Sequence, residues 1–229
     1  MSVPSFRNSG ITIINDDCLS AMQNMKSKEF DLAIVDPPYG IGNFANSTGK
    51  RRPNNKPWPI KWNDTIPSTE YFDQLYRVSR NIICWGVNYY GGNIKEVGRI
   101  FWDKYNESDI GSSGEIASQF LDRRVIKVKI ANIGFIGANS KSVKIHPCQK
   151  PVVLYEWLLN KYAKPGNKIL DTHGGSCSLA IACFNLGFEC TIYEIDKEYY
   201  TQAVKRIEQH LSQPRKIIGK RNIQDFLLK

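Results

Sequence analysis

Short apolar runs rich in β-branched residues alternate along the chain with stretches of helical period, the pattern of an α/β sheet of parallel character rather than of a sandwich or a helix bundle. Strands are predicted at 11–14, 31–35, 81–85, 99–102, 125–130, 168–170 and 189–193. Helices are predicted around Leu19, Met22 and Met25 and over 68–79, 151–162, 178–186 and 198–211. The run Asp31–Val35 reads DLAIV, apolar nearly throughout, and is expected in the middle of the sheet with both faces covered. It ends in Asp36-Pro37-Pro38-Tyr39, where two prolines forbid further sheet pairing. Tyr71, Phe72, Leu75, Tyr76 and Val78 share roughly one face of the helix at 68–79, with Ser68 or Thr69 as its cap. Pro151 is expected in the first turn of its helix, where no N–H is missed. Residues 41–67 show no period and are rich in Asn, Pro, Gly, Lys and Arg; a loop of that length is usually functional.

A chain of 229 residues buries one ordinary core, so a single domain over 1–229 is expected, with 41–67 and 103–145 as inserted segments. Its net charge of +9 favours a polyanionic partner. The bases are clustered. Residues 40–67 carry Lys50, Arg51, Arg52, Lys56 and Lys61 against the single acid Asp64, and residues 123–144 carry six bases and no acid. Seven more follow Val204 against two acids. The six cysteines form no CxxC pair and the three histidines lack ligand spacing, so reduced thiols and no metal site are expected. No apolar run reaches the roughly 18 residues of a membrane span, and the expectation is a soluble, cytoplasmic protein.

Two segments carry chemistry. The first is 168–182, a strand, a glycine turn and an Ala-rich helix, followed about twenty residues later by Glu194 at the end of the next strand. Such a unit binds nucleotides: glycines let the backbone approach the ligand, helix N–H groups face its negative part, and the acid accepts from ribose hydroxyls. It is neither GxGxxG nor a P-loop, which disfavours dinucleotides and ATP. The second is Asp36–Tyr39, at the carboxyl end of the expected central strand, where open α/β sheets bind ligands. The exocyclic amine of adenine or cytosine is a poor nucleophile because its lone pair is delocalised into the ring. A carboxylate and a rigid backbone carbonyl that accept both amine hydrogens localise that lone pair and stabilise the positive charge arising on transfer. The prolines fix the Pro37 carbonyl, and an aromatic such as Tyr39 can stack on the base for about 1–3 kcal/mol.

These residues resemble the S-adenosylmethionine-dependent DNA amino-methyltransferases, specifically their circularly permuted β class, in which the Asp-Pro-Pro-Tyr segment precedes the cofactor loop, as Asp36–Tyr39 precedes Asp171–Ser176 here. Asn15-Asp16-Asp17-Cys18-Leu19 is similar to the family's Gly-Asp-Cys-Leu turn, and His146-Pro147-Cys148-Gln149-Lys150-Pro151 to its His-Pro-Thr-Gln-Lys-Pro signature. Trp102-Asp103-Lys104 and Glu115-Ile116-Ala117 also look like features of small, phage-type members. The resemblance implies a Rossmann-like methyltransferase fold, a mostly parallel central sheet with helices on both faces in permuted order. It also implies Asp36, Pro37, Pro38 and Tyr39 as the catalytic segment. For the cofactor it implies Asp17 and Cys18 near the adenine, Gln149 and Lys150 near the methionine end, Asp171, Thr172, His173, Gly174, Gly175 and Ser176 as the loop, and Glu194 as the ribose acid. His173 stands where the family has an aromatic, and Cys177 where it has a glycine.

The implied activity is methyl transfer from S-adenosylmethionine to the 6-amino group of a target adenine rotated out of double-stranded DNA, with no metal. The expected DNA-facing residues are Lys50, Arg51, Arg52, Lys56, Lys61, Arg123, Arg124, Lys141 and Lys144, in the inserted segments that would read the target. Segments that small imply a short recognition sequence or a homodimer. The 4-amino group of cytosine is an alternative target; Asp at position 36 favours adenine, since the cytosine enzymes more often carry Ser there. RNA adenine is a further option, and a non-catalytic nucleic-acid-binding subunit of the same fold is the reading from a different class.

Overall fold

The structure, a computed structural model, describes residues 3–42, 63–95, 98–105, 112–131 and 144–213. Among them, nine strands form one sheet: β1 (Ser5–Asn8), β2 (Ile11–Ile14), β3 (Phe30–Val35), β4 (Ser79–Trp85), β5 (Gly98–Asp103), β6 (Gly114–Gln119), β7 (Val125–Lys129), β8 (Lys168–Asp171) and β9 (Glu189–Tyr193). Their order is β1-β2-β9-β8-β3-β4-β6-β5-β7. The inner block β2-β9-β8-β3-β4 is parallel throughout, and β6 is antiparallel to both its neighbours. The sheet is Rossmann-like, mostly parallel and covered by helices on both sides.

Alternation along β3 explains the two covers. Leu32 and Ile34 point into one core with α3 (Val152–Tyr162), α4 (Ser178–Leu186) and the Ala203–Ile207 face of α5 (Lys197–Leu211). Ala33 and Val35 point into the other, which also takes in Phe30 at the start of the strand, against Cys18 and Met22 of α1 (Cys18–Gln23) and Tyr71, Phe72, Leu75 and Val78 of α2 (Thr69–Val78). The Ser68 hydroxyl caps α2 by accepting the Tyr71 N–H at 3.3 Å. Pro151 precedes α3 as its cap in extended backbone, so that helix starts one residue later than expected.

Strands β1 and β6 carry no sequence signal. β1 is a polar edge strand, and β6, Gly-Glu-Ile-Ala-Ser-Gln, buries Ser118 and Gln119 through hydrogen bonds rather than through an apolar stripe. Both β6 and β7 lie within 103–145, so that stretch supplies two strands of the sheet as well as connections. Among the described residues, no helix is long and apolar enough to cross a membrane.

Candidate active site and cofactor cradle

β3 and β8 are neighbours and parallel, so Asp36, one residue beyond β3, and Asp171, the last residue of β8, stand at the same edge of the sheet. Asp36 is saturated by its own protein. Its Oδ1 accepts the Tyr39 hydroxyl at 2.5 Å and its Oδ2 the Lys150 ammonium at 2.5 Å. The Pro37 carbonyl accepts the hydroxyl of buried Tyr90 at 2.8 Å. Tyr39 stacks on Tyr89 with ring centroids 4.8 Å apart and planes 11° apart. Its other close neighbour is Gly86, where an added Cβ would lie 2.2 Å from the ring. Residues 43–62 lie outside the described residues; Gly42 and Asn63, which flank them, meet beside Tyr39, where Asn63 Oδ1 accepts the Tyr39 N–H at 2.9 Å and the Asn63 carbonyl the Gly42 N–H at 2.9 Å.

Glu115 completes this cluster. Its Oε2 is 2.9 Å from the Lys150 ammonium and its Oε1 2.5 Å from that of Lys104. Burial pushes the Glu115 carboxyl up, but the two ammonium groups outweigh it and hold the group at about 2. Burial and Glu115 push Asp36 above the usual carboxylate range against the pull of Lys150. Burial alone would lower Lys150; the two carboxylates carry it well above the usual lysine value.

The glycine turn after β8 is clamped from both sides. The Gly174 N–H donates to the Tyr193 carbonyl at 2.8 Å, and a Cβ on Gly174 would come within 2.6 Å of Ile192. Gly175 donates to Glu194 Oε2 at 2.6 Å and lies over the buried ring of His146. Thr172 shares its hydroxyl with Tyr71 at 2.7 Å and His173 at 2.9 Å, and burial brings His173 to about 4, so its ring is neutral. Cys18 lies close enough to Asp171 and Glu194 for both to act on its thiol. Asp17 caps α1 by accepting the Ser20 N–H at 2.7 Å.

Asp171 and Glu194 are buried and have no ion-pair partner among the described residues. Burial pushes each to about 7. Two buried acids beside a glycine turn, lacking a cation, fit a ligand that brings positive charge and hydroxyl groups. The sulfonium, ammonium and ribose of S-adenosylmethionine do so.

Comparison with known proteins bears on these readings. The family model described as DNA methylase matches residues 95–205. The Type II methyltransferase M.HpaI of Haemophilus parainfluenzae is 25% identical over 87% of this chain and 75% of its own length. M2.DpnII of Streptococcus pneumoniae is 22% identical over 91% and 93%. Over most of its length the chain is similar to these Type II methyltransferases. Its fold is that of the PvuII DNA methyltransferase (cytosine-N4-specific), with a TM-score of 0.59 at 13% identity over 94% of this chain and 90% of the other. It is also that of M1.HpyAVI in its SAM complex, at 0.52 and 16% over 86% and 98%.

The structure gives the positions of four of the expected site residues. Lys150 and Gln149 were expected at the methionine end of the cofactor. The Lys150 ammonium is held by Asp36 and Glu115, and Gln149 Oε1 accepts the Ile145 N–H at 3.1 Å, closing its own turn. Arg123 and Arg124 were expected to face DNA. Because β7 runs parallel to β5 and antiparallel to β6, they lie at the end of the sheet opposite Asp36, with Arg124 paired to Asp122. On the same strand it is Lys129 that lies at the catalytic end. Lys50, Arg51, Arg52, Lys56, Lys61 and Lys141 lie outside the described residues; Lys144 is described and acts on His146.

Among the residues of this site, Tyr90 and Gly86 were not singled out in the sequence, and Glu115 only through the likeness of Glu115-Ile116-Ala117, with no role attached. Gly86 had a signal: a glycine directly after a buried strand next to the catalytic one. Cys177 has φ +52, the left-handed conformation that a glycine would adopt at less cost, so the backbone keeps a glycine-like path with a cysteine on it.

Proposed function

We propose that the protein transfers a methyl group from S-adenosylmethionine to the 6-amino group of adenine in double-stranded DNA. The observation that carries this reading is the shared sheet edge of Asp36 and Asp171, which brings an amine-binding carboxylate and a cation-accepting cradle to neighbouring strand ends. The bound cofactor supplies an electrophilic methyl on a sulfonium. Everything else falls to the chain. Asp171 and Glu194 hold the ammonium and ribose, and Asp36 Oδ1 and the free lone pair of the Pro37 carbonyl take the two amine hydrogens. To admit the amine, the Tyr39 hydroxyl leaves Oδ1. Tyr89, exposed and already stacked on Tyr39, is the ring that yields to the flipped base.

Adenine is favoured by Asp at position 36. The order of the two segments, catalytic first and cofactor loop last, supports membership of the permuted class. DNA contacts are assigned to Lys129, Lys144 and the basic segment 43–62, whose described neighbours Gly42 and Asn63 lie beside Tyr39. Methylome sequencing of DNA from cells expressing the chain tests the reading. N6-methyladenine in one short sequence context is expected. N4-methylcytosine would transfer the activity to the other base, and unmodified DNA with cofactor binding intact would leave a non-catalytic subunit.

A further inference from the structure

The Lys150 side chain is 3% exposed, and its ammonium meets two carboxylates, 2.5 Å from Asp36 and 2.9 Å from Glu115. It sits above the Trp85 ring at 5.5 Å, and Lys104 anchors the far oxygen of Glu115 at 2.5 Å. Two acids and two bases thus balance in charge, and three of the four carboxylate oxygens carry an ammonium at 2.9 Å or less. The exception is Asp36 Oδ1, whose partner is a hydroxyl on a neighbouring side chain.

We infer that Lys150, held by Glu115, is a positioning residue that keeps Asp36 a carboxylate and turns it so that Oδ1 alone is open to exchange with the target amine. The inference rests on the methyl-transfer reading and deepens it. A buried carboxylate without its cation takes up a proton, and a protonated Asp36 loses the negative charge that draws the amine nitrogen toward tetrahedral geometry. Glu115 acts in the opposite sense, since it repels charge on Asp36 and draws on the same ammonium. Other groups that face Asp36 are Tyr39 on its own segment, Cys84 on β4 and Tyr90 beyond it. From the remaining sides come Cys148 beside Lys150, Tyr155 on α3 and Asp171 on β8. None of these is altered by the substitutions below.

The test is single-turnover methyl transfer to unmethylated genomic DNA at saturating S-adenosylmethionine, followed between about pH 5 and about pH 9. Lys150→Met is expected to move the acid limb of the rate profile up by about one to three pH units. Glu115→Gln is expected to move it down, and Lys150→Arg to return it toward the wild-type position. A side chain that merely fills space would not give opposite displacements. Limbs that stay put, or that move the same way in both variants, overturn the inference. Should Lys150→Met fail to fold, Glu115→Gln decides, and an unmoved limb there is sufficient to reject it. If the wild type transfers no methyl group at any pH, the methyl-transfer reading falls and this inference with it. If the wild type is active, Asp36→Ala is not, and the limbs coincide, only the role of Lys150 is lost.

Discussion

The hydroxyl of Tyr90 donates to the carbonyl oxygen of Pro37 at 2.8 Å, across 53 positions of sequence. It uses one lone pair of that carbonyl and leaves the other pointing elsewhere. Tyr90→Phe is expected to cost about 1 kcal/mol of stability in urea denaturation, because a buried carbonyl loses its partner. It should also slow methyl transfer while cofactor binding stays the same. Transfer at the wild-type rate would mean that the direction of this carbonyl is irrelevant to the amine.

Gly86 has φ +76 and lies under the Tyr39 ring, 2.2 Å from where a Cβ would sit. Gly86→Ala combines backbone strain with overpacking and should destabilise the fold by about 1–3 kcal/mol. Displacing the ring should lower transfer by at least about tenfold. Denaturation and a transfer assay on the same preparation check both, with cofactor affinity the quantity expected to hold.

Burial, more than any neighbouring charge, raises Asp171 and Glu194 to about 7. A carboxyl whose folded pKa exceeds its unfolded value keeps its proton where the unfolded chain has lost it, so folding gains as pH falls through the folded pKa. The cofactor-free protein should therefore melt at a higher temperature near pH 6 than near pH 8, within the window these two shifts define. Affinity for cationic S-adenosylmethionine should fall over the same interval, with protons released on binding. Asp171→Asn should flatten both dependences; differential scanning calorimetry and titration in buffers of different ionisation enthalpy measure them.

Arg124, just before β7, and Lys129, its last residue, stand at opposite ends of that strand. Arg124→Ala, at the end away from Asp36 and already paired to Asp122, should change DNA affinity by less than about twofold. Lys129→Ala should weaken binding and reduce the slope of log affinity against log salt by about 1. The wild-type slope should be roughly −4.5 for about five neutralised phosphates. Fluorescence anisotropy across a salt series distinguishes these outcomes.

What the sequence made legible follows from burial. β3 and the segments around β8, α4 and β9 are packed on both faces, so their apolar patterns are nearly unbroken and their ends sharply marked by Asp36-Pro37-Pro38 and Gly174-Gly175. β1 and β6 left no trace because one is a polar edge and the other is held by Ser118 and Gln119 hydrogen bonds. Within the site, Asp36 and Tyr39 were readable because they are contiguous. Lys150 and Glu115 lie 114 and 79 positions from Asp36, and only the neighbouring of β4 with β6 and the turn before α3 brings them to it. The position of Arg123 and Arg124 was not legible, because a cluster of bases in sequence says nothing of which end of a strand they occupy.

The central claim is that Asp36 acts on the amine and not on the cofactor. Asp36→Ala leaves Lys150 paired with Glu115, so the fold should persist. Methyl transfer and S-adenosylmethionine titration measured side by side on this variant test the claim most directly. Cofactor affinity close to wild type with no methyl delivered to DNA is the predicted result; methylation at the wild-type rate, or loss of cofactor binding with the fold intact, would contradict it.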